Sequence, residues 1–183
     1  MIVKTRTSAE TIKDSIVSRD DRYYLVPSTN PQNTYQVLWF RLTAVDSERE
    51  LVGRATKERS CKVDILIPGT ISIPWIPYDR IIRHDDRPSI PLTPIVTLIM
   101  LKLRGWADHK NDPRKDIREK LKRDEDDLEE MLTLAVNEWD IRSTEDWWPW
   151  WFVSEGDKRI ADFVKEWPGS KAYWNELGFD LDV

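Results

Sequence analysis

Hydrophobic and polar positions divide the chain into a strand-rich first part and a helical second part. Four short runs rich in β-branched and aromatic residues predict strands over Met1–Lys4, Tyr23–Val26, Tyr35–Leu42 and Cys61–Ile67. After the first run, a capping sequence that begins at Ser8 is followed by Ile12 and Ile16 at helical spacing, which predicts a helix. We therefore expect a small mixed β-sheet with one flanking helix.

Prolines and then an apolar helix mark the start of the second part. Six of the 11 prolines lie between residues 68 and 94 and predict an extended connector. Thr93 then caps a helix that has Pro94 at its first position. The body of this helix, Ile95–Leu103, is apolar on nearly all sides, so we expect the helix to be central to its domain.

Further helices are predicted after this central one. A highly charged helix runs from Asp112 to about Asn137 and carries one apolar stripe. Two more helical segments are predicted around Ile160–Trp167 and Ser170–Leu177. A small sheet followed by an all-helical half predicts the α+β class.

The two predicted domains, residues 1–91 and 92–183, differ in charge. The first is a partial α/β core with its proline-rich connector, and the second is a helical region packed on it. The first carries 14 basic and 12 acidic side chains and the second 14 basic and 21 acidic ones, so their net charges are +2 and −7. Proteins that hold a nucleic-acid backbone carry a basic excess on the binding element. We therefore expect no extended nucleic-acid binding.

Cysteine content and the N-terminal residues indicate the compartment. The one cysteine, Cys61, excludes an internal disulfide and with it a disulfide-stabilised secreted domain. No apolar signal sequence follows Met1, and no apolar run approaches the roughly 20 residues that a membrane span needs. We expect a cytoplasmic, reducing environment and no membrane partner.

Two charged residues interrupt the apolar stripes of the long helices. Lys102 lies on the stripe that contains Ile99 and Trp106, and Asp124 lies between Leu121 and Leu128 on the next helix. A buried charge needs a partner, so we expect Lys102 and Asp124 to pair across the helix interface. This pair is either a structural ion pair or part of a ligand-contacting site.

The charged neighbours of this pair have a simpler interpretation. Lys120 and Asp127 lie one turn on either side of Asp124. For these two residues a solvated, charged helix face is the expected arrangement.

Asp64 is a carboxylate within a predicted strand. Its neighbours Val63 and Ile65 belong to an apolar face, so the carboxylate needs a hydrogen-bonding partner or a hard cation such as Mg²⁺. One carboxylate does not make a metal site, because phosphoryl transfer with two metal ions needs several acidic ligands. The pairs Asp20–Asp21 and Asp85–Asp86 are interpreted as turn residues.

Motifs of other enzyme classes are absent. The sequence contains no P-loop, no dinucleotide-binding glycine motif, no nucleophile elbow and no H-E-x-x-H. His84 and His109 stand apart, and together with one cysteine they provide no zinc-binding set.

The tryptophans are concentrated near the C-terminal end. Six of the 10 lie between residues 147 and 174. The cluster Trp147–Phe152 lacks the interleaved basic residues of base-stacking surfaces, which favours a role in a core or an interface. A non-catalytic protein-interaction domain that uses these Trp-rich helices is therefore an alternative function.

Several segments together carry a family resemblance. The segments are Cys61–Gly69, Ile73–Pro74, Pro91–Pro94, Leu101–His109 and Lys120–Asp127. The most specific of them has lysine, leucine, glycine, tryptophan and histidine at positions 102, 103, 105, 106 and 109. Over residues 1 to about 135 the chain resembles a fungal family of the DNA polymerase β-type nucleotidyltransferase superfamily.

The resemblance implies a function and a set of site residues. Members of this superfamily transfer a nucleoside monophosphate from an NTP with the help of Mg²⁺. Asp64 matches the third catalytic carboxylate and would be a metal ligand. Lys102 and Asp124 match positions that in related toxin-type transferases help to hold the nucleotide.

The chain also departs from the family pattern. The G-S and D-x-D motifs are absent ahead of the first strand, where the pattern has them. We therefore expect this chain to be catalytically inactive, as either a truncated form of an active enzyme or a degenerate relative that kept the scaffold. The missing elements would leave a sheet edge uncovered, which predicts self-association or marginal stability.

Overall fold

The computed structural model describes residues 2, 7–28, 32–42, 59–70, 72–138 and 145–181, which divide into two compact units, residues 1–75 and 76–183. The described part of the chain is mixed α+β, with small antiparallel sheets and several helices, and this confirms the predicted class. The division between the units falls after Trp75, within the proline-rich segment.

In its described residues, the first unit contains one helix and a three-stranded antiparallel sheet. Helix α1 begins where predicted, because the Ser8 hydroxyl accepts a hydrogen bond from the backbone N–H of Thr11 at 3.2 Å. Lys13 ties this helix to the sheet, since its Nζ donates to the backbone carbonyl of Gln36 at 2.5 Å. The elements are α1 (Ala9–Val17), β1 (Tyr23–Pro27), β2 (Gln36–Arg41) and β3 (Ser60–Val63), with strand order β1-β2-β3.

Leu38 fixes the register of this sheet. It lies opposite Leu25 in β1 and opposite Val63 in β3, and its side chain is fully buried. Because side chains alternate between the two faces, a slip of one residue would turn Leu38 out of the core. Strands β1 and β3 are the outer strands, and self-association through an edge stays a prediction.

The predicted strand Cys61–Ile67 is shorter than expected. Its ladder ends at Val63, so Asp64 lies outside the strand and the placement of this carboxylate in mid-strand was wrong. The predicted strand Met1–Lys4 lies outside the described residues except for Ile2, which forms a parallel bridge with Leu66. In this bridge the two chain segments run parallel, whereas the strands of the sheet pair antiparallel.

The second unit begins with a hairpin in place of the predicted extended connector. Strands β4 (Ile82–His84) and β5 (Arg87–Leu92) pair antiparallel across a turn at Asp85 and Asp86. Both strands of a two-stranded hairpin are edge strands. In an edge strand, a proline can lie where the missing N–H would face away from the paired strand, so the pairing keeps its hydrogen bonds. The prolines therefore did not prevent strand formation, and the interpretation of Asp85–Asp86 as a turn is confirmed.

Among residues 76–138 and 145–181, five α-helices complete the second unit. The central helix is confirmed, but it begins after Pro94 and has no side-chain cap, so the role expected of Thr93 was wrong. The charged helix predicted from Asp112 is split, because the chain turns at Glu119 and Lys120. The helices are α2 (Ile95–Lys110), α3 (Lys115–Arg118), α4 (Leu121–Glu138), α5 (Trp150–Glu166) and α6 (Lys171–Glu176).

The core of the second unit forms around α2, which contacts both α4 and α5. Trp106 of α2 packs edge-on against Phe163 of α5, with ring centroids 5.1 Å apart. Trp148 donates its indole N–H to the buried Thr97 hydroxyl at 3.1 Å. Leu98 is exposed, so α2 presents one apolar position to solvent. The buried apolar residues of α2 are Val96, Ile99, Met100, Leu103 and Trp106.

Candidate functional site

A buried carboxylate links helices α2 and α4 of the second unit. Asp124 lies in the first turn of α4, and only 5% of its surface is exposed. Its Oδ1 accepts a hydrogen bond from Lys102 Nζ of α2 at 2.8 Å. The predicted pairing of Lys102 with Asp124 is therefore confirmed.

Two further side chains complete this group. His109 Nδ1 lies 2.5 Å from Asp124 Oδ2, so each carboxylate oxygen has its own partner. Lys102 Nζ also lies 2.6 Å from Asp127 Oδ2. We call these four residues, Lys102, His109, Asp124 and Asp127, the Lys102 cluster.

The structure corrects two interpretations and agrees with a third. His109 does not stand apart, and its position was readable, because it follows Lys102 by two helical turns and so shares its face. Asp127 is not merely a solvated charge, since one turn separates it from Asp124 and Lys102 reaches both carboxylates. Lys120 is exposed, in agreement with a solvated face.

The charges of the cluster shift the pKa values of its members. Burial raises the pKa of Asp124, but the hydrogen bonds to Lys102 and His109 outweigh this effect, so the pKa lies below its usual value of 3.8. For Lys102, burial lowers the pKa, and the hydrogen bonds to Asp124 and Asp127 raise it above the usual 10.5. Both residues are therefore held in their charged forms at neutral pH.

The side chains of Lys102 and His109 remain partly open to solvent. The side chains of Lys102 and His109 are 27% and 29% exposed, whereas that of Asp124 is 8% exposed. An ammonium group has three N–H donors, of which Asp124 and Asp127 take two. Among the described residues, no hydrogen bond uses the second ring nitrogen of His109. The third N–H of Lys102 can therefore donate to an anionic ligand, and the second ring nitrogen of His109 can do so when the ring is an imidazolium.

An acidic residue lies beside the exposed edge of this site. Hydrogen bonds from the side chain and the backbone of Arg114 lower the pKa of Asp112 to about 2, and the charge of nearby His109 acts in the same direction. Asp112 therefore stays ionised and keeps Arg114 next to the turn that follows α2.

Asp64 belongs to the first unit, and its environment differs from the one expected. Its side chain is 61% exposed and forms an ion pair with Lys62 at 2.9 Å. A carboxylate in solvent pays little desolvation cost, so burial does not require a metal ion here. Within the described ranges, no group of three or more His, Cys, Asp or Glu residues could hold a metal ion. The role of Asp64 as a metal ligand stays a prediction.

The C-terminal tryptophans differ widely in exposure. Trp148 is buried and packs edge-on against Phe152, with ring centroids 5.6 Å apart. Trp147 and Trp151 are partly buried against the same core. Trp150 is 80% exposed. The cluster is thus mainly part of a core, and Trp150 is the member that faces solvent.

A G-S pair and a D-x-D triplet occur near the C-terminal end of the sequence. Gly169 and Ser170 lie in a short 3-10 turn before α6, and Asp180 and Asp182 follow it. In the family pattern the D-x-D lies on a strand, but Phe179–Leu181 are not part of a strand here, and Asp182 lies outside the described residues. These residues therefore do not reproduce the family's arrangement in the described part of the chain.

Comparison with known proteins identifies no relative. The chain matches no protein-family model, no curated protein and no solved structure. Among the helices of the described segments, none has both the length and the apolar character needed to cross a membrane. We therefore derive a function from the side chains of the Lys102 cluster.

Proposed function

We propose that this chain is a nucleotidyltransferase-like protein whose Lys102 cluster binds the phosphate groups of an NTP. The observation that carries the proposal is the pairing of Lys102 and His109 with one buried carboxylate, Asp124, at 2.8 and 2.5 Å. This arrangement holds Lys102 Nζ and the His109 ring in fixed positions at a partly exposed surface, where His109 donates through its second nitrogen when the ring is an imidazolium. The resemblance supports the same assignment, because its most specific motif contains both Lys102 and His109.

The cluster offers a chemical route for phosphate to enter. The side chain of Asp127 is 45% exposed, whereas that of Asp124 is 8% exposed. Asp127 is therefore the carboxylate that can leave Lys102 more easily. A phosphate oxygen would then take the place of Asp127 at Lys102 Nζ, and Asp124 would keep both nitrogen groups oriented. Charge-assisted hydrogen bonds of this kind are among the stronger ones in proteins.

The proposal separates binding from catalysis. Active members of the superfamily transfer a nucleoside monophosphate with Mg²⁺, which requires several carboxylates near each other. The described residues do not bring such a set of carboxylates together. Asp64 is the one residue that the resemblance matches to a catalytic carboxylate. We therefore expect this chain to bind an NTP without transferring the nucleotide.

Nucleotide binding can be tested directly on the full chain. We expect equilibrium dialysis with each of the four common NTPs to show saturable binding and the melting temperature to rise with NTP concentration. Lys102→Met and His109→Gln should each weaken binding by about tenfold, because each removes about 1.4 kcal/mol of charge-assisted contact. Lys122→Met is the matched control, since Lys122 also pairs with an aspartate on α4 but is 68% exposed.

The controls separate loss of binding from loss of fold. Circular dichroism melts without nucleotide show whether Lys102→Met still folds, and His109→Gln, which keeps a polar side chain, provides the second test. Absence of NTP binding, or equal binding by Lys102→Met, His109→Gln and Lys122→Met, would overturn the proposal. Binding that is stronger with Mg²⁺ in the wild type but not in Asp64→Asn would support the predicted metal role of Asp64.

A protein-interaction domain is the second candidate function. The observation that favours it is Trp150, a large aromatic side chain that is 80% exposed at the start of α5. Aromatic residues of this kind supply much of the binding energy in protein interfaces.

Two tryptophan variants test this second function. Trp150→Ala is expected to leave the melting temperature within about 2 °C of the wild type, because exposed positions contribute little to stability. It should remove a specific partner in a quantitative pull-down or a self-associated species in sedimentation experiments. Trp151→Ala should lower the melting temperature, since Trp151 packs against the core. An unchanged partner set and an unchanged association state in Trp150→Ala would exclude this function.

A further inference from the structure

A second concave site lies in the helical unit, lined by residues other than those of the Lys102 cluster. It is a pocket of about 220 Å³ between α4 and the C-terminal end of the chain. On one side it is lined by Leu132 and two glutamates of α4, and on the other by aromatic residues. The main lining residues are Glu125, Glu129, Leu132, Phe163, Trp167 and Tyr173.

The carboxylates of this pocket are available to a ligand. Glu125 and Glu129 lie one helical turn apart on the same face of α4. In the described part of the chain, neither carboxylate takes part in an ion pair or a side-chain hydrogen bond, whereas the neighbouring Asp126 is paired with Lys122 at 2.7 Å. Two like charges at this spacing repel each other slightly, the charge of Lys122 acts on both of them, and a bound cation would relieve the remaining repulsion.

One aromatic wall already contacts a cation within the chain. The ammonium of Lys122 lies over the ring of Trp167, 5.0 Å from its centroid. Trp167 therefore already takes part in a cation–π contact at the usual distance, and a ligand has to use the part of the ring that lines the pocket. Lys122 is not itself part of the pocket lining, so the volume bounded by Trp167 and Tyr173 remains open to a ligand.

We propose that this pocket binds a methylated ammonium group. Aromatic walls favour such a cation because the face of an aromatic ring carries partial negative charge and the methyl groups pack against it. A hard metal ion would need six or more oxygen ligands, and the pocket has two carboxylates. An anion would be repelled by Glu125 and Glu129. The ammonium group belongs either to a small molecule such as choline or to a trimethylated lysine of a protein.

Choline and its uncharged isostere test the charge of the ligand. We expect isothermal titration of the full chain with choline to show one saturable site, and 3,3-dimethyl-1-butanol, which has the same shape without the charge, to bind at least tenfold more weakly. A peptide that contains trimethyllysine is titrated in parallel. Tighter binding of the peptide than of choline would assign the site to a protein ligand, and tighter binding of choline would assign it to a small molecule.

Variants then locate the site. Glu129→Gln should weaken choline binding by about threefold and Tyr173→Leu by about tenfold, in line with the usual range of cation–π energies. Glu130→Gln is the matched control, because Glu130 is exposed on the same helix and does not line the pocket. Lys102→Met should also leave choline binding unchanged, so this proposal and the proposed nucleotide site can fail separately.

Three results would overturn the proposal. They are no binding of either ammonium ligand, equal binding of choline and the alcohol, and choline binding that Glu129→Gln and Tyr173→Leu leave unchanged. A thermal melt of Tyr173→Leu establishes that the variant is folded. If it is not folded, Glu129→Gln together with Glu125→Gln decides the matter, with an expected loss of about tenfold for the removal of both charges.

Discussion

Gly156→Ala is expected to destabilise the protein by about 0.5–2 kcal/mol, because the usual cost of overpacking a core, about 1–3 kcal/mol, exceeds the gain of about 0.5–1 kcal/mol from alanine in a helix. A Cβ atom at this position would lie 1.8 Å from Cε and 3.0 Å from Sδ of Met100. Met100 is itself buried, with 2% of its surface exposed, so its side chain has little room to move aside. Urea denaturation of the wild type and the variant measures the difference in the free energy of unfolding.

Gly105→Ala is the matched control for this substitution. Gly105 also lies within a helix, α2, but a Cβ atom there would meet no other atom within 4 Å. The substitution should therefore stabilise the protein by about 0.5–1 kcal/mol, the usual gain when alanine replaces glycine in a helix. Opposite signs for the two variants would attribute the cost at Gly156 to the contact with Met100. Equal signs would show that this contact does not limit packing.

A double mutant tests the same contact independently. Met100→Ala removes the atoms that a Cβ at position 156 would meet, so the combined variant should lose less stability than the sum of the two single variants. A stability loss in the double variant that equals the sum of the two single losses would contradict the steric explanation.

Asp124→Ala is expected to lower the free energy of unfolding by about 2–4 kcal/mol, because it removes one partner of a buried ion pair. Lys102 would keep Asp127, which limits the loss, but His109 would lose its partner on α4. Asp126→Ala is the control: it breaks an exposed pair with Lys122 on the same helix and should cost less than about 1 kcal/mol. Equal effects of the two substitutions would contradict a special role for the buried carboxylate.

The stabilisation that Asp124 provides should depend on pH at both extremes. Its pKa is lowered in the folded state, so its contribution is present above the usual 3.8 and is lost as the pH falls through the folded value. The pKa of Lys102 is raised, so its contribution is present below the usual 10.5 and is lost as the pH rises through the folded value. The difference in stability between the wild type and Asp124→Ala should therefore be largest between about pH 5 and 9 and narrow outside that range.

The sequence allowed a good prediction of those features that depend on periodicity. The apolar pattern of Ile95–Leu103 indicated a central helix, and the structure has one. The pairing of Lys102 with Asp124 followed from two charges on apolar stripes, since buried charges need partners, and their distance of 2.8 Å confirms it.

The missed features depend on information that periodicity does not carry. Alternation of apolar residues reports burial rather than pairing, and Ile65 is buried although the strand ends at Val63. This is why Asp64 was placed inside a strand. The pairing of His109 with Asp124 was missed, because the histidines were interpreted only as metal ligands and not as partners of this carboxylate. The hairpin of β4 and β5 was missed because prolines exclude only strands that are paired on both sides.

The hydrogen bond between Trp148 and Thr97 has a consequence for the rate of folding. It joins residues 51 positions apart, and the aromatic contact between Trp106 and Phe163 spans a similar separation. Contacts of this kind close long loops, so their entropic cost has to be met before they contribute stability. Helices α2 and α4 lie closer together along the sequence and can associate first, whereas α5 docks onto them later. We therefore expect the attachment of α5 to set the folding time of the helical unit, with the tryptophans of its first turn reporting that step.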